Sequence, residues 1–467
     1  CSDDDPEPTP EVPEVPVILP QEDPELSKTI GFFMDNWAPK NWTVPSSFDA
    51  GIAPTSTNST VTVDFAKVIT KIPESIYGNN ANLWSGEMIT NAGLMTDMTN
   101  LKPNIIRFPG GSISDVYFWN TDKAPATAPA TLLNADGTEK PSGFWYGKNN
   151  ANWTISLDKY YQLLVNTNSK GIITINYGYA RYGTGANPVE DAAKLAADWV
   201  TYDNGRTKYW EIGNENFGDW EAGYRINTAN NKDGQPEFLT GQLYAQHFKI
   251  IVQAMRTAAK AIGNNDIKIG AVLFESPPES WMSNNNKTWN DKLLPAIDEE
   301  ADFYVIHSYY TAIADVNAAT ILETPKAKTN EFMSYVKNDL TKKMKQIKPI
   351  ALDEWNIFAH GSKQQVSHVN GLHAALVLGE TLKNTIGLTA RWDLFNSWEN
   401  GDDHGLFSSA NEPGVPYGTP HPAFYQMYYF QKNMGDRLIE ANKDANGNYE
   451  VYASSFSDGK VGLTFVN

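Results

Sequence analysis

Eight short apolar segments alternate with helical segments between residues 76 and 395, and this alternation constrains the fold more than any other feature. Most of these segments are rich in Ile and Val on both faces, which is typical of strands buried on both sides of a parallel sheet. The candidate strands cover residues 76–78, 105–108, 172–177, 209–213, 267–273, 303–307, 349–354 and 388–395. Eight strand–helix units predict an α/β fold, a TIM (β/α)8 barrel over residues 76–440, rather than an open doubly wound sheet.

Three of the intervening segments carry clear helix signals. In the first, Asn187 is a candidate N-cap, Pro188 takes the first helical position, and Asn204-Gly205 predicts the end. The other two cover residues 240–263, with one apolar stripe, and residues 369–384. No complete glycine-rich phosphate loop follows any candidate strand, so we expect no dinucleotide or other cofactor.

The flanks of the barrel predict a second, smaller sheet. Val61, Val63 and Phe65 alternate as in a half-buried strand. Near the C-terminus, two alternating runs flank Ser457-Asp458-Gly459, which is a hairpin signal. A hairpin alone is only marginally stable in water. We therefore expect an N-terminal extension (28–75) and a C-terminal stub (441–467) to form one accessory β-sheet beside the barrel.

The start of the chain predicts where the protein resides. Cys1 is the single cysteine, and an acidic, Pro-rich stretch follows it to about residue 24. This start resembles the mature end of a bacterial lipoprotein of the Bacteroidetes type, in which the Cys is acylated. The resemblance implies a disordered tether (1–27) and a lipid anchor in the outer membrane, at the cell surface or in the periplasm. The alternative is an arbitrary start of the sequence.

The charge balance excludes some partners. The chain has 37 basic and 55 acidic residues, a net charge of −18. Nucleic-acid phosphates would be repelled by such a surface, and so would an anionic membrane. We therefore expect contact with a membrane only through the lipid, and no nucleic-acid partner. The oligomeric state is left open.

Two carboxylates stand where the active site of a barrel is expected, at the C-terminal ends of strands. Glu215 follows the fourth candidate strand and Glu354 ends the seventh. Carboxylates are costly next to apolar strands unless they are paired or functional. Two carboxyl groups that face each other across one barrel mouth can cleave a glycosidic bond, because one donates a proton and the other attacks the sugar. The alternative is that each forms an ordinary salt bridge.

These motifs resemble those of the clan A retaining glycoside hydrolases. Gly213-Asn214-Glu215 and Asp353-Glu354-Trp355-Asn356 are similar to the two signatures of that clan. Further motifs resemble family 51, the α-L-arabinofuranosidases: Arg107-Phe108-Pro109-Gly110-Gly111, Ile76-Tyr77-Gly78-Asn79, Thr174-Ile175-Asn176-Tyr177-Gly178 and His307-Ser308-Tyr309-Tyr310. The resemblance covers about residues 60 to 440.

The resemblance implies roles for the matching residues. Glu215 would be the general acid/base and Glu354 the nucleophile. Asn214 would hydrogen-bond the sugar 2-hydroxyl, and Arg107 would hold Glu354. Independently of any family, a cation near a nucleophilic carboxylate should lower its pKa.

Three more positions complete the expected site. Tyr309 would donate a hydrogen bond to Glu354, and His307 would lie beside it. Asn79, at the end of the first strand motif, is expected to bind substrate. For Arg107 the alternative is a salt bridge at the barrel floor, and for His307 a satisfied core histidine.

The chain departs from the family after the eighth strand. The loop 396–405 has no counterpart in typical family 51 sequences, and we expect it to shape the sugar pocket. Its Trp398 is the best candidate for an aromatic platform, because aromatic planes bind the apolar faces of sugars. Asp402, Asp403 and His404 are adjacent and lack the spacing of a calcium loop, so we expect no metal there.

These observations favour a retaining glycoside hydrolase that acts on plant-type polysaccharides or oligosaccharides, with α-L-arabinofuranosidase as the leading prediction. One alternative is a clan A hydrolase of another linkage, a β-xylosidase or an endo-β-glucanase. Another is a non-catalytic glycan-binding lipoprotein. The presence of both glutamates within their motifs argues against a non-catalytic protein.

Overall fold

The structure is a computed structural model that describes residues 19–25, 37–45, 47, 51–52, 54–84, 86, 88–297, 299–314, 317–346, 348–399, 401–444 and 447–467. Cys1 lies outside the described residues, so the lipid anchor stays a prediction. Among the described residues, no helix combines the length and the apolar composition needed to cross a bilayer.

The elements follow one another along the chain in the order expected for a barrel with flanking strands. The strands are β1 (Val61–Lys71), β2 (Gly78–Asn80), β3 (Ile105–Phe108), β4 (Tyr117–Phe118), β5 (Thr131–Leu133), β6 (Glu139–Pro141), β7 (Trp145–Tyr146), β8 (Lys170–Ile175), β9 (Tyr209–Ile212), β10 (Lys268–Val272), β11 (Phe303–Tyr309), β12 (Ile350–Asn356), β13 (Leu388–Arg391), β14 (Arg437–Lys443), β15 (Glu450–Ser455) and β16 (Val461–Val466). The α-helices are α1 (Ala92–Leu101), α2 (Leu157–Thr167), α3 (Gly178–Tyr182), α4 (Pro188–Asp203), α5 (Gly241–Ala261), α6 (Asn284–Ile297), α7 (Ala318–Tyr335), α8 (His368–Lys383) and α9 (Pro422–Asn433).

Eight parallel strands close into a barrel in the order β2-β3-β8-β9-β10-β11-β12-β13, which confirms the predicted TIM barrel. Each predicted strand overlaps one of these eight. The first begins only at Gly78, because Glu74–Ile76 form a 3₁₀ turn. The eighth ends already at Arg391, where the chain leaves the barrel wall. The other six strands begin and end within two residues of their predicted positions.

The three predicted helices are present as α4, α5 and α8. Helix α4 has Asn187 as N-cap and Asn204 in the left-handed conformation (φ 51°) as C-cap. Thr240 caps α5 by accepting a hydrogen bond from the Leu243 N–H at 3.3 Å. The apolar stripe of α5 is buried against the barrel, so amphipathic periodicity was a reliable guide here.

The flanking strands form the predicted accessory sheet, in the antiparallel order β1-β14-β15-β16. The hairpin around Ser457-Asp458-Gly459 joins β15 to β16, and β14 connects it to β1. Tyr452 on β15 fixes this sheet to the barrel by donating its hydroxyl to Glu380 of α8 at 2.9 Å.

One part of the predicted tether is wrong, since residues 19–25 lie against the accessory sheet. Glu22 forms a parallel bridge with Lys67 of β1. The Arg437 Nε donates to Asp23 Oδ1 at 2.7 Å. The acidic residues predicted a solvated tether, but Asp23 forms salt bridges with Lys71 and Arg437 of the sheet. The rest of the predicted tether lies outside the described residues.

Candidate active site

Glu215 and Glu354 come together at the C-terminal mouth of the barrel. Glu354 lies within β12, in register with His307 on β11. Glu215 lies in the turn after β9, where Gly213 has φ 79° and Glu215 itself has φ 43°. A non-glycine residue in this left-handed region is strained, and such strain is concentrated at functional sites. The turn directs the Glu215 side chain back over the barrel mouth.

His307 joins the two glutamates. Its Nδ1 lies 2.9 Å from Glu215 Oε1 and 3.7 Å from Glu354 Oε2, while its Nε2 lies 3.1 Å from Asp353 Oδ1. Burial disfavours a charge on the ring, but the charge of Glu354 and the hydrogen bonds to Asp353 and Glu215 raise the pKa of His307 well above its usual value. We conclude that His307 is an imidazolium in the free enzyme.

Arg107 on β3 lies under the pair and is fully buried. Its guanidinium donates to Glu211 Oε1 (2.5 Å), Glu354 Oε2 (3.0 Å), Asn80 Oδ1 (3.0 Å) and Asn214 Oδ1 (2.9 Å). Burial opposes its charge, but the surrounding carboxylates, Glu211 first, raise the pKa of Arg107 further. This permanent cation holds Glu354 in place, as the family resemblance implied.

Glu211 and Asp353 form a second, deeper acidic pair that the sequence analysis missed. Burial and the charge of Asp353 raise the pKa of Glu211 to about 8, although the charge of Arg107 acts in the opposite direction. Burial also disfavours a charge on Asp353, but Arg107, His307 and the hydrogen bond from Glu211 lower the pKa of Asp353. At neutral pH these shifts favour the proton on Glu211 and the negative charge on Asp353. A glutamate inside the apolar strand Trp210-Glu211-Ile212 was the available signal.

The two glutamates at the mouth differ in their surroundings. Burial and the charge of Glu215 raise the pKa of Glu354, against the opposing effects of His307 and Arg107. Burial also disfavours a charge on Glu215, but His307 and the indole N–H of Trp220 lower the pKa of Glu215. In the free enzyme the proton between Glu215 and His307 therefore resides on His307.

Tyr309 on β11 also contacts the predicted nucleophile. Its hydroxyl donates to Glu354 Oε1 at 2.5 Å. Together with Arg107 on Oε2, this bond holds both oxygens of Glu354, which fixes the carboxylate plane. Burial first, and then the charge of Glu354, raise the pKa of Tyr309 well above its usual value, so that Tyr309 stays a donor.

The same residues could be considered as metal ligands. One ligand atom each from Glu215, His307 and Glu354 lies within 4.8 Å of the others. A protonated imidazole offers no lone pair to a metal, however. The Arg107 guanidinium, 3.0 Å from Glu354 Oε2, also places a positive charge beside the position that an ion would take. Acid–base chemistry suits these residues better than metal binding.

Removal of Arg107 should destabilise the fold as well as the site. Arg107→Ala would leave buried Glu211, Asp353 and Glu354 without their cation, and we expect a loss of about 3–5 kcal/mol in the free energy of unfolding. Denaturant unfolding at neutral pH measures this loss. The control is Arg256→Ala, whose partly exposed pairs with Glu300 and Asp302 should contribute about 1 kcal/mol or less. Equal losses in both variants would contradict the expectation.

Two predicted substrate residues make no side-chain hydrogen bond to this network within the described part of the chain. The side chain of Asn80, not Asn79, accepts a hydrogen bond from Arg107 at 3.0 Å. Trp398 is half-buried in the loop after β13, whereas Trp392 at the strand end packs against Gly111. A Cβ on Gly111 (φ 64°) would lie 2.6 Å from the Trp392 ring, so glycine is needed there. Asn79 and Trp398 stay predictions as substrate contacts.

The acidic loop after β13 directs its three adjacent polar residues to different partners. Asp402 pairs with His360. Asp403 Oδ1 accepts the Gly405 N–H at 2.7 Å, and His404 Nε2 lies 3.1 Å from the Ile357 carbonyl oxygen. Because the three side chains diverge, they do not converge on one point as the ligands of an ion would.

A known protein family matches part of the chain. Residues 97–315, just under half of the chain, match the family model described as the alpha-L-arabinofuranosidase 1 domain. No curated protein matches the sequence.

Many solved structures share the fold, among them three glycoside hydrolases. The α-L-arabinofuranosidase of Thermotoga maritima in complex with arabinose is 18% identical, with a TM-score of 0.60 over 88% of this chain and 85% of that chain. The family 51 α-L-arabinofuranosidase of Bifidobacterium longum is 14% identical, with a TM-score of 0.60 over 88% and 86%. A Paenibacillus polymyxa xyloglucanase from glycoside hydrolase family 44 is 13% identical, with a TM-score of 0.55 over 88% and 87%.

A closed (β/α)8 barrel that carries this matched domain defines the class of the protein: it is a glycoside hydrolase. Its substrate is accordingly a carbohydrate. The range that matches the α-L-arabinofuranosidase model, residues 97–315, spans the second to the sixth barrel strand.

Proposed function

We propose that the chain is a retaining α-L-arabinofuranosidase acting on plant-type polysaccharides or their fragments, with Glu354 as nucleophile and Glu215 as acid/base. One observation carries the proposal: ligand atoms of Glu215, His307 and Glu354 all lie within 4.8 Å of one another. Retaining enzymes hold their two carboxyl groups about 5 Å apart, whereas inverting enzymes need about 6.5–9.5 Å to admit a water.

In the first step, Glu354 attacks the anomeric carbon and the bond to the leaving oxygen breaks. His307 Nδ1 passes its proton to the Glu215 carboxylate, 2.9 Å away, and Glu215 passes it on to the leaving oxygen. Bond formation removes the negative charge of Glu354, the largest of the contributions that favour the imidazolium. His307 thus releases its proton as Glu354 loses its negative charge.

In the second step, water attacks the glycosyl-enzyme at the anomeric carbon. Glu215, again a carboxylate, accepts the water proton and returns it to His307, while the bond from the sugar to Glu354 breaks and restores the Glu354 carboxylate. Two displacements at one carbon give a product with retained configuration. Arg107 and Tyr309 hold the Glu354 oxygens in line during both steps.

Loss of the Tyr309 hydroxyl should shift the acidic limb of the pH profile. That hydroxyl lowers the pKa of Glu354, which must be ionised to attack, so in Tyr309→Phe the pKa rises and activity is lost at a higher pH. A hydrogen bond to a charged group contributes about 1.5–3 kcal/mol, so we expect an upward shift of about one pH unit or more in kcat/KM.

The control for this shift is Tyr310→Phe. The Tyr310 hydroxyl bonds Thr329 at 2.9 Å and touches neither glutamate, so its acidic limb should stay in place. A Tyr309→Phe limb that stays in place or moves to lower pH would contradict the role given to Tyr309.

A panel of aryl glycosides tests the sugar. We expect turnover of 4-nitrophenyl α-L-arabinofuranoside, with the α-anomer as the first product seen by NMR. Release of xylose from a β-xyloside, or of oligosaccharides from β-glucan, would instead assign the same catalytic pair to another linkage. A β-anomer as first product would overturn the retaining mechanism.

A further inference from the structure

Glu221 is a buried acid close to the predicted catalytic pair that has no role so far. It lies in the loop after β9 and is 3% exposed. Its Oε1 accepts hydrogen bonds from Asn214 Nδ2 at 3.0 Å and from Ser112 Oγ at 2.7 Å. Its Oε2 is buried without a hydrogen-bond partner in the described part of the chain. Oε1 thus accepts both of the hydrogen bonds made to this carboxyl group.

The contacts of Asn214 determine how its side-chain amide is oriented. Arginine can only donate, so the Asn214 oxygen must face Arg107 Nη2, 2.9 Å away. The amide nitrogen therefore faces Glu221, which uses one of its two N–H groups. The backbone N–H of Asn214 is held as well, by Asp115 Oδ2 at 3.3 Å. No other acceptor among the described residues bonds this amide nitrogen, so its second N–H is left for a ligand.

The protonation state of Glu221 explains the uneven use of its oxygens. Burial, together with the charges of Asp115 and Glu215, raises the pKa of Glu221 well above its usual value. A neutral carboxylic acid has one carbonyl oxygen, which accepts, and one hydroxyl. Two donors on Oε1 and none on Oε2 fit this form, with the proton on Oε2. Glutamine would present the same acceptor at the same place.

We propose that Glu221 is a positioning residue that clamps the Asn214 amide against Arg107, so that the second amide N–H meets the substrate 2-hydroxyl. This inference rests on the proposed function, in which Asn214 binds that hydroxyl. Contacts to the 2-hydroxyl strengthen in the transition state of glycosidases. A freely turning Asn214 would lose part of that gain, so Glu221 acts on the rate through Asn214 and not by touching the sugar.

The test compares two substrates that differ only at the 2-position: 4-nitrophenyl α-L-arabinofuranoside and its 2-deoxy analogue. With the first, Glu221→Ala should lower kcat/KM about ten- to a hundredfold, the range set by losing one or two buried hydrogen bonds. With the 2-deoxy substrate the same variant should lose about threefold or less, because the contact that Glu221 organises is already gone. Glu221→Gln should keep kcat/KM within about threefold of wild type on both, because its acceptor is intact.

Two controls separate positioning from folding. Glu190→Ala changes an exposed glutamate in the first turn of α4 and should match wild type on both substrates. Thermal unfolding of each Glu221 variant shows whether the fold survives. An equal loss on both substrates would make the role of Glu221 merely structural and overturn the proposal, and so would a Glu221→Gln variant as impaired as Glu221→Ala.

The outcome can be separated from that of the proposed function. If wild type prefers another glycoside, the same comparison is made with that glycoside and its 2-deoxy form, and the arabinofuranosidase assignment fails alone. If Glu221→Ala loses the same factor in kcat/KM on the preferred glycoside and on its 2-deoxy form, this inference fails alone. A wild-type enzyme without hydrolysis of any glycoside would overturn both.

Discussion

Glu354→Ala is expected to lower kcat on 4-nitrophenyl α-L-arabinofuranoside by about 10⁴-fold or more, the largest effect of any single substitution proposed for this chain. Alanine leaves no group to attack the anomeric carbon, while Arg107 and Glu215 remain to bind and protonate the substrate. The release of 4-nitrophenol under saturating substrate measures the loss. Glu331→Ala, an exposed glutamate on α7 that pairs with Lys328, is the matched control and should leave kcat unchanged.

Rescue by azide tests the role of Glu354 independently of how far kcat falls. In Glu354→Ala the space left by the carboxylate admits azide, which attacks the same face of the sugar that Glu354 attacks. The expected product is the β-configured glycosyl azide, with 4-nitrophenolate as the leaving group. An α-configured azide, or activity close to that of wild type, would remove Glu354 from the nucleophile position.

Glu215→Ala should show a loss that depends on the leaving group, the second large effect. For a poor leaving group such as an alkyl or sugar alcohol, general acid catalysis contributes about 10²–10⁴-fold, and kcat/KM should fall by that factor. For 2,4-dinitrophenolate, which departs without a proton, we expect a much smaller loss in kcat/KM. A set of aryl arabinofuranosides with graded leaving-group pKa values measures this slope.

Azide again separates the roles, because in Glu215→Ala the nucleophile is intact. Azide should attack the glycosyl-enzyme and give the α-configured azide, speeding turnover of the dinitrophenyl substrate. A loss of the same size for all leaving groups would contradict an acid role. If neither Glu215→Ala nor Glu354→Ala changes glycan processing, the enzyme assignment itself fails and a glycan-binding function becomes the better hypothesis.

His307 explains why the free enzyme holds its proton on a base rather than on the predicted acid. A histidine between two carboxylates, with a third at Asp353, is stabilised as a cation, and Glu215 is ionised beside it. The sequence pattern predicted that His307 lies near Glu354 but not this proton placement. Proton placement depends on burial and on charges from β9, β11 and β12 together, which are far apart along the chain.

The barrel and the positions of Glu215 and Glu354 followed from local patterns. Buried parallel strands read as continuous apolar runs, and the first polar residue after each run marks the barrel mouth. The family resemblance, not the strand pattern, implied that Arg107 and Tyr309 contact Glu354, and both donate hydrogen bonds to it. Strand ends were less certain, and the first strand shifted by two residues, so that Asn80 rather than Asn79 bonds Arg107.

The sequence by itself therefore determined the barrel, the accessory sheet and which strand ends carry the carboxylates, because period and turn chemistry are properties of neighbouring residues. Only the tertiary structure decided what each carboxylate does. Glu211 and Glu221 look like ordinary strand and loop acids in the sequence, yet burial and nearby carboxylates raise the pKa of both and favour their neutral forms. Such shifts arise from desolvation and from charges brought together by folding, which no local pattern contains.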